Sequence, residues 1–205
     1  MAIRTPHFKR LPRDFYIQPT VRLARQLLGK IFVRPLGKKL LVGRIVETEA
    51  YTHNDPACHA YKGRTPRTEV MFWEGGFLYV YFTYGMHFCT CVVSSREGRG
   101  EAVLIRGVEP LTGIEVMTKN RGFSLARGGK ESLKKLTDGP GKFSKAFGLG
   151  RIENGLSLLQ SPVFIADAES VASSHVGISS RIGITSAAAK KQWRFFEKGN
   201  LWVSR

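Results

Sequence analysis

Two carboxylates two residues apart are the first residues in this sequence that could do chemistry. Glu47 and Glu49 lie at the end of a hydrophobic run, just before a long polar segment. Residues two apart in a β-strand point to the same face, so both carboxylates are expected on one side of a sheet. Close carboxylates disfavour each other's ionised form, which is one route to a general acid or base. The alternative is that one of them pairs with an arginine, and the pair alone is a weak signal.

An aromatic hairpin is the second candidate, within residues 77–88. Strand alternation places Tyr79 and Tyr81 on one face. Tyr84 precedes Gly85, where the chain must reverse, so its ring is expected near the hairpin tip. An exposed ring in a basic protein can wedge between stacked bases and fill the gap left by an extruded base. A ring folded back over the hairpin is the equally weighted alternative.

Two further segments have compositions suited to phosphate contacts. Residues 62–67 combine glycine, a hydroxyl and cations, although a solvated charged loop is the commoner meaning of such a run. Residues 139–142 open a short helix, whose backbone N–H groups could hold a phosphate. They lack the full Walker A spacing, which argues against a nucleotidase.

A metal site is the competing interpretation, with Cys58, His59, His87, Cys89 and Cys91 as possible ligands. Their spacing is not the Cys-x₂-Cys knuckle of structural zinc sites, and no matching second pair exists. The zinc deaminase signature is also absent. Alternation instead places Cys89 and Cys91 on one face, as small core residues. We therefore expect no metal and no cofactor.

The charge balance indicates a polyanionic partner, either nucleic acid or an anionic membrane surface. The 205 residues contain 32 Lys and Arg against 16 Asp and Glu, a net charge of +16. Residues 1–40 carry a net +9, whereas residues 41–110 carry a net −1. A polyanion repels carboxylates, so acids concentrated in a basic protein are either weak surface ion pairs or carboxylates kept for catalysis.

A cytoplasmic protein is expected. The apolar stretches are far shorter than a membrane-spanning helix, and the N-terminal residues contain no apolar signal region. Three cysteines cannot all pair, which excludes a disulfide scaffold and fits a reducing compartment.

The order of elements predicts a single α+β domain over residues 1–205, with a curved, largely antiparallel sheet, flanking helices and a protruding β-hairpin. A long polar loop is expected over residues 51–68 and a glycine- and lysine-rich loop over residues 127–135. Helices are expected to begin at Thr20, after Pro110 and at Pro140. Strands are expected over residues 30–36, 39–50, 77–82, 87–94, 101–108, 162–166, 178–184 and 193–196.

A series of short motifs occurs along the chain in a specific order, although any single one is weak. They are the octapeptide RIVETEAY (44–51), His59, Thr65-Pro66-Arg67, Met71-Phe72, Leu78-Tyr79-Val80-Tyr81, Tyr84-Gly85-Met86, Val103-Leu104-Ile105-Arg106 and Gly139-Pro140. Together they resemble the alkyladenine (3-methyladenine) DNA glycosylase family, from about the first helix to residues 202–204.

The resemblance implies an enzyme that flips 3-methyladenine, hypoxanthine or ethenoadenine out of double-stranded DNA and hydrolyses the N-glycosidic bond, leaving an abasic site. Glu49 would be the general base that activates the attacking water. Arg106 and the backbone carbonyl of Ile182 would help to hold that water.

The same resemblance implies a binding surface around this centre. Tyr51, His59 and Tyr81 would sandwich the flipped base. Tyr84 would intercalate, in agreement with the turn argument above. The positions expected near the DNA backbone or minor groove are Thr65, Arg67, Met71 and Lys142.

Two departures from the family pattern concern the pocket. The stretch between Tyr51 and Thr65 is shorter than in the vertebrate members. Cys91 lies where those members carry an asparagine that helps to exclude guanine through its exocyclic amine. A cysteine is smaller and a weaker hydrogen-bonding group, so discrimination against purines bearing an N2 amine is expected to be relaxed.

Several expectations about partners accompany this interpretation. No motif for a Schiff-base lysine is found, so hydrolysis without strand cleavage is expected. We expect a monomer without an obligate protein partner, associated with the nucleoid in a bacterium. The alternatives are a non-catalytic RNA or ribosome-associated binder, which gives Glu49 no role, and a membrane-surface protein, which lacks the required amphipathic basic helix.

Overall fold

An antiparallel β-sheet is the framework of the computed structural model, which describes residues 8–122, 133–185 and 187–204. Its eight strands are β1 (Ile31–Leu36), β2 (Lys39–Tyr51), β3 (Leu78–Thr83), β4 (His87–Val93), β5 (Ala102–Thr112), β6 (Phe164–Ala166), β7 (Val176–Ser179) and β8 (Arg194–Glu197). The order is β3-β4-β5-β2-β1-β6, and β8 pairs with both β2 and β7. All pairings between these strands are antiparallel. The predicted α+β class is confirmed.

Short helices pack against this sheet and close the hydrophobic core. The described α-helices are α1 (Arg13–Tyr16), α2 (Thr20–Gln26), α3 (Ile114–Arg121) and α4 (Pro140–Ala146). Leu23 and Leu27 at α2 are fully buried. Phe143 of α4 and the following Phe147 meet the ring of Phe32 edge-on, at centroid distances of 5.2 and 5.5 Å. No helix in the described ranges is both long and apolar enough to cross a membrane.

The central pair β2–β5 carries the acidic residues that the sequence singled out. Glu47 lies opposite Gly107, and the strand register shifts on both sides of Glu47, as in a β-bulge. Such an irregularity re-aims side chains, and here both Glu47 and Glu49 reach Arg106 of β5. The two carboxylates therefore converge from β2 on one guanidinium, which agrees with the prediction that they share a face of the sheet.

The hairpin β3–β4 projects an aromatic residue from its turn. Tyr84 has a left-handed backbone with φ of 51°, and the next residue, Gly85, also has positive φ. The Tyr84 side chain is 85% exposed, so it does not fold back over the hairpin. The prediction of an aromatic ring at the hairpin tip is confirmed.

Two predicted elements are present with different boundaries. The helix expected after Pro110 is absent at that point, because β5 continues to Thr112 and α3 begins only after Gly113. Pro110 lies opposite Gly43 where the register is irregular, a position at which a strand tolerates a residue without an N–H group. The strand expected over residues 178–184 ends at Ser179 in β7.

The predicted loops contain more local structure than their composition suggested. The polar stretch after β2 includes a 3₁₀ helix at His59–Lys62, and a second one at Glu69–Phe72 follows it. Helix α1 was not predicted, because its four residues are too few to show a hydrophobic period. Most of the predicted glycine- and lysine-rich loop, residues 127–132, lies outside the described residues.

Gly107 is expected to be intolerant of a side chain. A Cβ atom there would lie 2.4 Å from the Trp202 carbonyl oxygen and 3.2 Å from Glu47. Because backbone must move to accommodate it, Gly107→Ala should lower the free energy of unfolding by about 1–3 kcal/mol in chemical denaturation. The control is Gly150→Ala, whose Cβ would meet nothing closer than 3.8 Å. Equal losses in the two variants would contradict the steric explanation.

Candidate active site

Glu49, near the end of β2, is fully buried and accepts three hydrogen bonds. Its Oε1 accepts a bond of 2.7 Å from the backbone N–H of Ile182. Its Oε2 accepts bonds from the Tyr51 hydroxyl at 2.8 Å and from Nη1 of Arg106 at 3.2 Å. Donors from three directions hold the carboxylate in one orientation.

Arg106 connects this carboxylate to the second one. Its Nε donates to Oε1 of Glu47 at 3.1 Å, while its Nη1 donates to Glu49. Burial lowers the pKa of Arg106, but the carboxylates of Glu49 and Glu47 outweigh it and raise the pKa above its usual value. The arginine therefore stays cationic, and the alternative considered for the two glutamates, pairing with an arginine, is found for both.

A cavity of about 190 Å³ opens beside this ionic group. It brings together all four predicted pocket residues, Tyr51, His59, Tyr81 and Cys91, from distant parts of the chain. The lining includes Tyr51, His59, Met71, Tyr79, Tyr81, Tyr84, Cys91, Arg106 and Ile182. Glu49 itself lies behind the lining, in contact with its Tyr51, Arg106 and Ile182.

Aromatic rings form one side of the cavity. Tyr79 and Tyr81 stack with centroids 5.3 Å apart and an interplanar angle of 24°. His59 meets Tyr81 edge-on at 4.6 Å, and its Nδ1 lies 3.1 Å from the Tyr79 hydroxyl. Burial and the nearby Arg67 lower the pKa of His59, which favours the neutral imidazole at physiological pH.

Tyr79 is a pocket residue that the sequence interpretation did not include. The signal was present, since strand alternation put Tyr79 on the same face as Tyr81. Burial raises the pKa of Tyr79 to about 12, so its hydroxyl stays protonated. It can therefore donate to Nδ1 of His59 when that ring carries its proton on Nε2.

The four residues predicted to contact DNA lie at different distances from the cavity. Met71 lines the cavity. Arg67 lies at its edge, with its guanidinium 5.9 Å from the Tyr81 ring centroid and its Nη2 bonded to the Phe82 carbonyl. Thr65 and Lys142 do not line the cavity: Thr65 bonds to Thr68 within its own turn, and Lys142 pairs with Asp138 at 2.8 Å.

A buried ion pair that sequence reasoning missed holds the turn containing Ile182. Arg181 and Asp55 are both fully buried and bonded to each other. Nη1 of Arg181 also donates to the Ala50 carbonyl at 2.9 Å, and its guanidinium lies 4.6 Å from the Tyr51 ring centroid. These contacts position the residue whose amide binds Glu49.

The cysteines are free and buried. Cys89 and Cys91 lie in one hydrophobic cluster with Cys58, so their prediction as core residues is confirmed. Within residues 8–122, 133–185 and 187–204, no group of three or more potential metal ligands is found.

Comparison with known proteins decides between the partners that the charge left open. The sequence profile of the methylpurine-DNA glycosylase family matches residues 14–201. The chain belongs to this family. It is therefore a DNA N-glycosylase. DNA is the polyanionic partner that its net charge of +16 attracts.

Curated relatives agree with the family match over nearly the whole chain. A protein of Carboxydothermus hydrogenoformans is 44% identical over 196 residues, which cover 95% of this chain and 98% of the relative. A Chlorobaculum tepidum protein is 44% identical over 199 residues, covering 96% and 91%. A Francisella tularensis protein is 42% identical over 189 residues, covering 91% and 94%. All three carry the name "Putative 3-methyladenine DNA glycosylase".

The thiols of this glycosylase are expected to resist modification. Burial raises the pKa of Cys58 to about 11 and that of Cys91 well above its usual value, so little thiolate exists at neutral pH. A chromogenic disulfide reagent should react slowly with the native protein. In denaturant it should react readily with all three cysteines. Fast reaction of the native protein at neutral pH would contradict this expectation.

Proposed function

We propose that the protein flips 3-methyladenine, hypoxanthine and ethenoadenine out of duplex DNA and hydrolyses the N-glycosidic bond with a water activated by Glu49. The observation that carries the proposal is the position of the Glu49–Arg106 pair directly behind an aromatic cavity. A buried carboxylate in a protein with a net charge of +16 needs a reason, and catalysis at the sugar supplies one.

Cleavage of the glycosidic bond builds positive charge on the sugar. A carboxylate near C1′ stabilises that charge and accepts a proton from the attacking water. We assign these roles to Glu49. Arg106 and the backbone carbonyl of Ile182 are the proposed groups that hold the water, and the Ile182 amide orients Glu49 at 2.7 Å.

The proposed base site is the space between Tyr51, His59 and Tyr81. 3-Methyladenine is cationic while attached to the sugar, so it leaves as a neutral base and needs little help from an acid. Hypoxanthine and ethenoadenine are neutral, so they need a hydrogen bond or a proton. Because the Tyr79 hydroxyl lies on Nδ1 of His59, we assign Nε2 of that ring to the base.

Tyr84 is the proposed wedge that replaces the extruded base. Unstacking costs a few kcal/mol, and less for a damaged base, which contributes to selectivity before any bond breaks. Thr65, Arg67, Met71 and Lys142 are the proposed contacts to flanking DNA. For Lys142 this requires that a phosphate replace Asp138, its partner in the free protein.

Hydrolysis without strand cleavage is part of the proposal. Strand cleavage by a glycosylase requires an amine that forms a Schiff base with the sugar. The described residues that line the cavity include no lysine. The product is therefore an abasic site in an intact strand.

Glu49→Gln should abolish excision while retaining binding, because glutamine keeps the size of the side chain and loses the base. A duplex bearing one hypoxanthine or ethenoadenine is incubated with each protein, and abasic sites are then cleaved with alkali. Wild type should give a strand break and Glu49→Gln none, with similar binding of the ethenoadenine duplex.

Three results would contradict this proposal. They are full activity of Glu49→Gln, strand nicking by wild type without alkali, and no break on either lesion or on 3-methyladenine. A pure binder would also bind the lesion duplex no better than an undamaged one.

Cys91→Asn tests purine discrimination. Cys91 is buried and lines the cavity, so its replacement changes the surface that a flipped base meets. We expect wild type to excise methylated guanine measurably, and Cys91→Asn to lose that activity relative to hypoxanthine. Comparable hypoxanthine excision and no guanine excision in both proteins would contradict the role of Cys91.

A further inference from the structure

We infer that Glu47 is a positioning residue, which holds the Arg106 guanidinium beside Glu49 with the help of Ser204. This inference rests on the proposed catalytic role of Glu49. Glu49 supplies the chemistry, whereas Glu47 and Ser204 act only through Arg106.

Glu47 is fully buried, and Arg106 is the one residue among its hydrogen-bond partners that lines the cavity, whereas all three partners of Glu49 line it. Its Oε1 accepts bonds from Nε of Arg106 at 3.1 Å, from Nε of Arg194 at 2.6 Å and from the Ser204 hydroxyl at 2.8 Å. Its Oε2 accepts the backbone N–H of Ser204 at 2.6 Å. Four hydrogen-bond donors hold this carboxylate in one orientation.

Ser204 contacts both partners of this ion pair. Its hydroxyl donates to Glu47 and lies 3.4 Å from Nε and 3.2 Å from Nη2 of Arg106. A hydroxyl has one proton and two lone pairs, so it can donate once and accept twice, as this arrangement requires. The carbonyl of Ser204 accepts a hydrogen bond of 3.0 Å from Nη2 of Arg194, which connects Ser204 to β8.

The guanidinium of Arg106 is consequently held along two of its edges. Nε and Nη2 face Glu47 and Ser204, and Nη1 alone faces Glu49. A planar guanidinium cannot rotate while these bonds hold. The arrangement restricts Arg106 to one bond with Glu49 and preserves carboxylate acceptor sites for a water.

Charge balance explains why loss of Glu47 should disturb catalysis. Two glutamates and two arginines share this buried region, and a buried charge without its partner is costly. With Glu47 neutral, Arg106 is expected to turn toward Glu49 and pair with it more fully. That pairing would compete with the water for the same oxygens.

Single-turnover excision from an ethenoadenine duplex tests the inference. Glu47→Gln should lower the rate constant by about 10- to 100-fold, the cost of a small misplacement of catalytic groups, and leave the Kd for the duplex unchanged. Ser204→Ala, which removes only the hydroxyl, should be slowed less and provides the test should Glu47→Gln fail to fold. A wild-type rate in either folded variant would overturn the inference.

A double-mutant cycle separates positioning from a general structural role. If Glu47 acts through Arg106, adding Glu47→Gln to Arg106→Lys should cause no further loss, whereas independent effects would multiply. Multiplied losses would overturn the inference. Glu153→Gln is the matched control, since Glu153 pairs with Arg34 at 2.8 Å, is largely buried and does not line the cavity. It should lower the Tm without changing the rate.

Glu49→Gln, measured in the same assay, separates the two proposals. An inactive Glu49→Gln together with a fully active Glu47→Gln would overturn the positioning role alone. A fully active Glu49→Gln would overturn the proposed function, on which the positioning role depends.

Discussion

The buried ionic contact of Arg106 with Glu47 and Glu49 is the constraint on which the rest of the site depends. Removing charges from water is expensive, and such a group is tolerated only when each member is paired and hydrogen-bonded. The requirement fixes how β2 and β5 align around the bulge at Glu47. Two segments that are distant in the sequence also take part, because the Ile182 amide donates a hydrogen bond to Glu49 and the Ser204 amide donates one to Glu47.

Local features were predictable because they arise from neighbours in the sequence. Alternation in β2 set Glu47 and Glu49 on the same side, and the Tyr84-Gly85 pair marked the turn of the hairpin. Most strands and the start of α2 were also visible as hydrophobic runs ended by glycine or proline. The pocket residues were expected from the order of the motifs, and Tyr51, His59, Tyr81 and Cys91 all line the cavity.

The remaining features could not be read from local patterns, because they join residues far apart in the chain. Asp55 and Arg181 are 126 residues apart, and Glu47 and Ser204 are 157 apart. No periodicity encodes such a pairing. The misassigned helix after Pro110 has a different cause: proline commonly begins a helix, and only the irregular register opposite Gly43 lets it remain in β5.

Tyr84, the proposed wedge, has a left-handed backbone, so part of the work of entering DNA would be done when the protein folds. Such a conformation costs a non-glycine residue roughly 1–2 kcal/mol. The ring is already largely exposed to water in the free protein. Insertion between bases would bury that surface without first reshaping the hairpin, so little ordering entropy is lost at the moment of binding. A preformed wedge of this kind can test successive base pairs quickly, since each trial needs only the DNA to open.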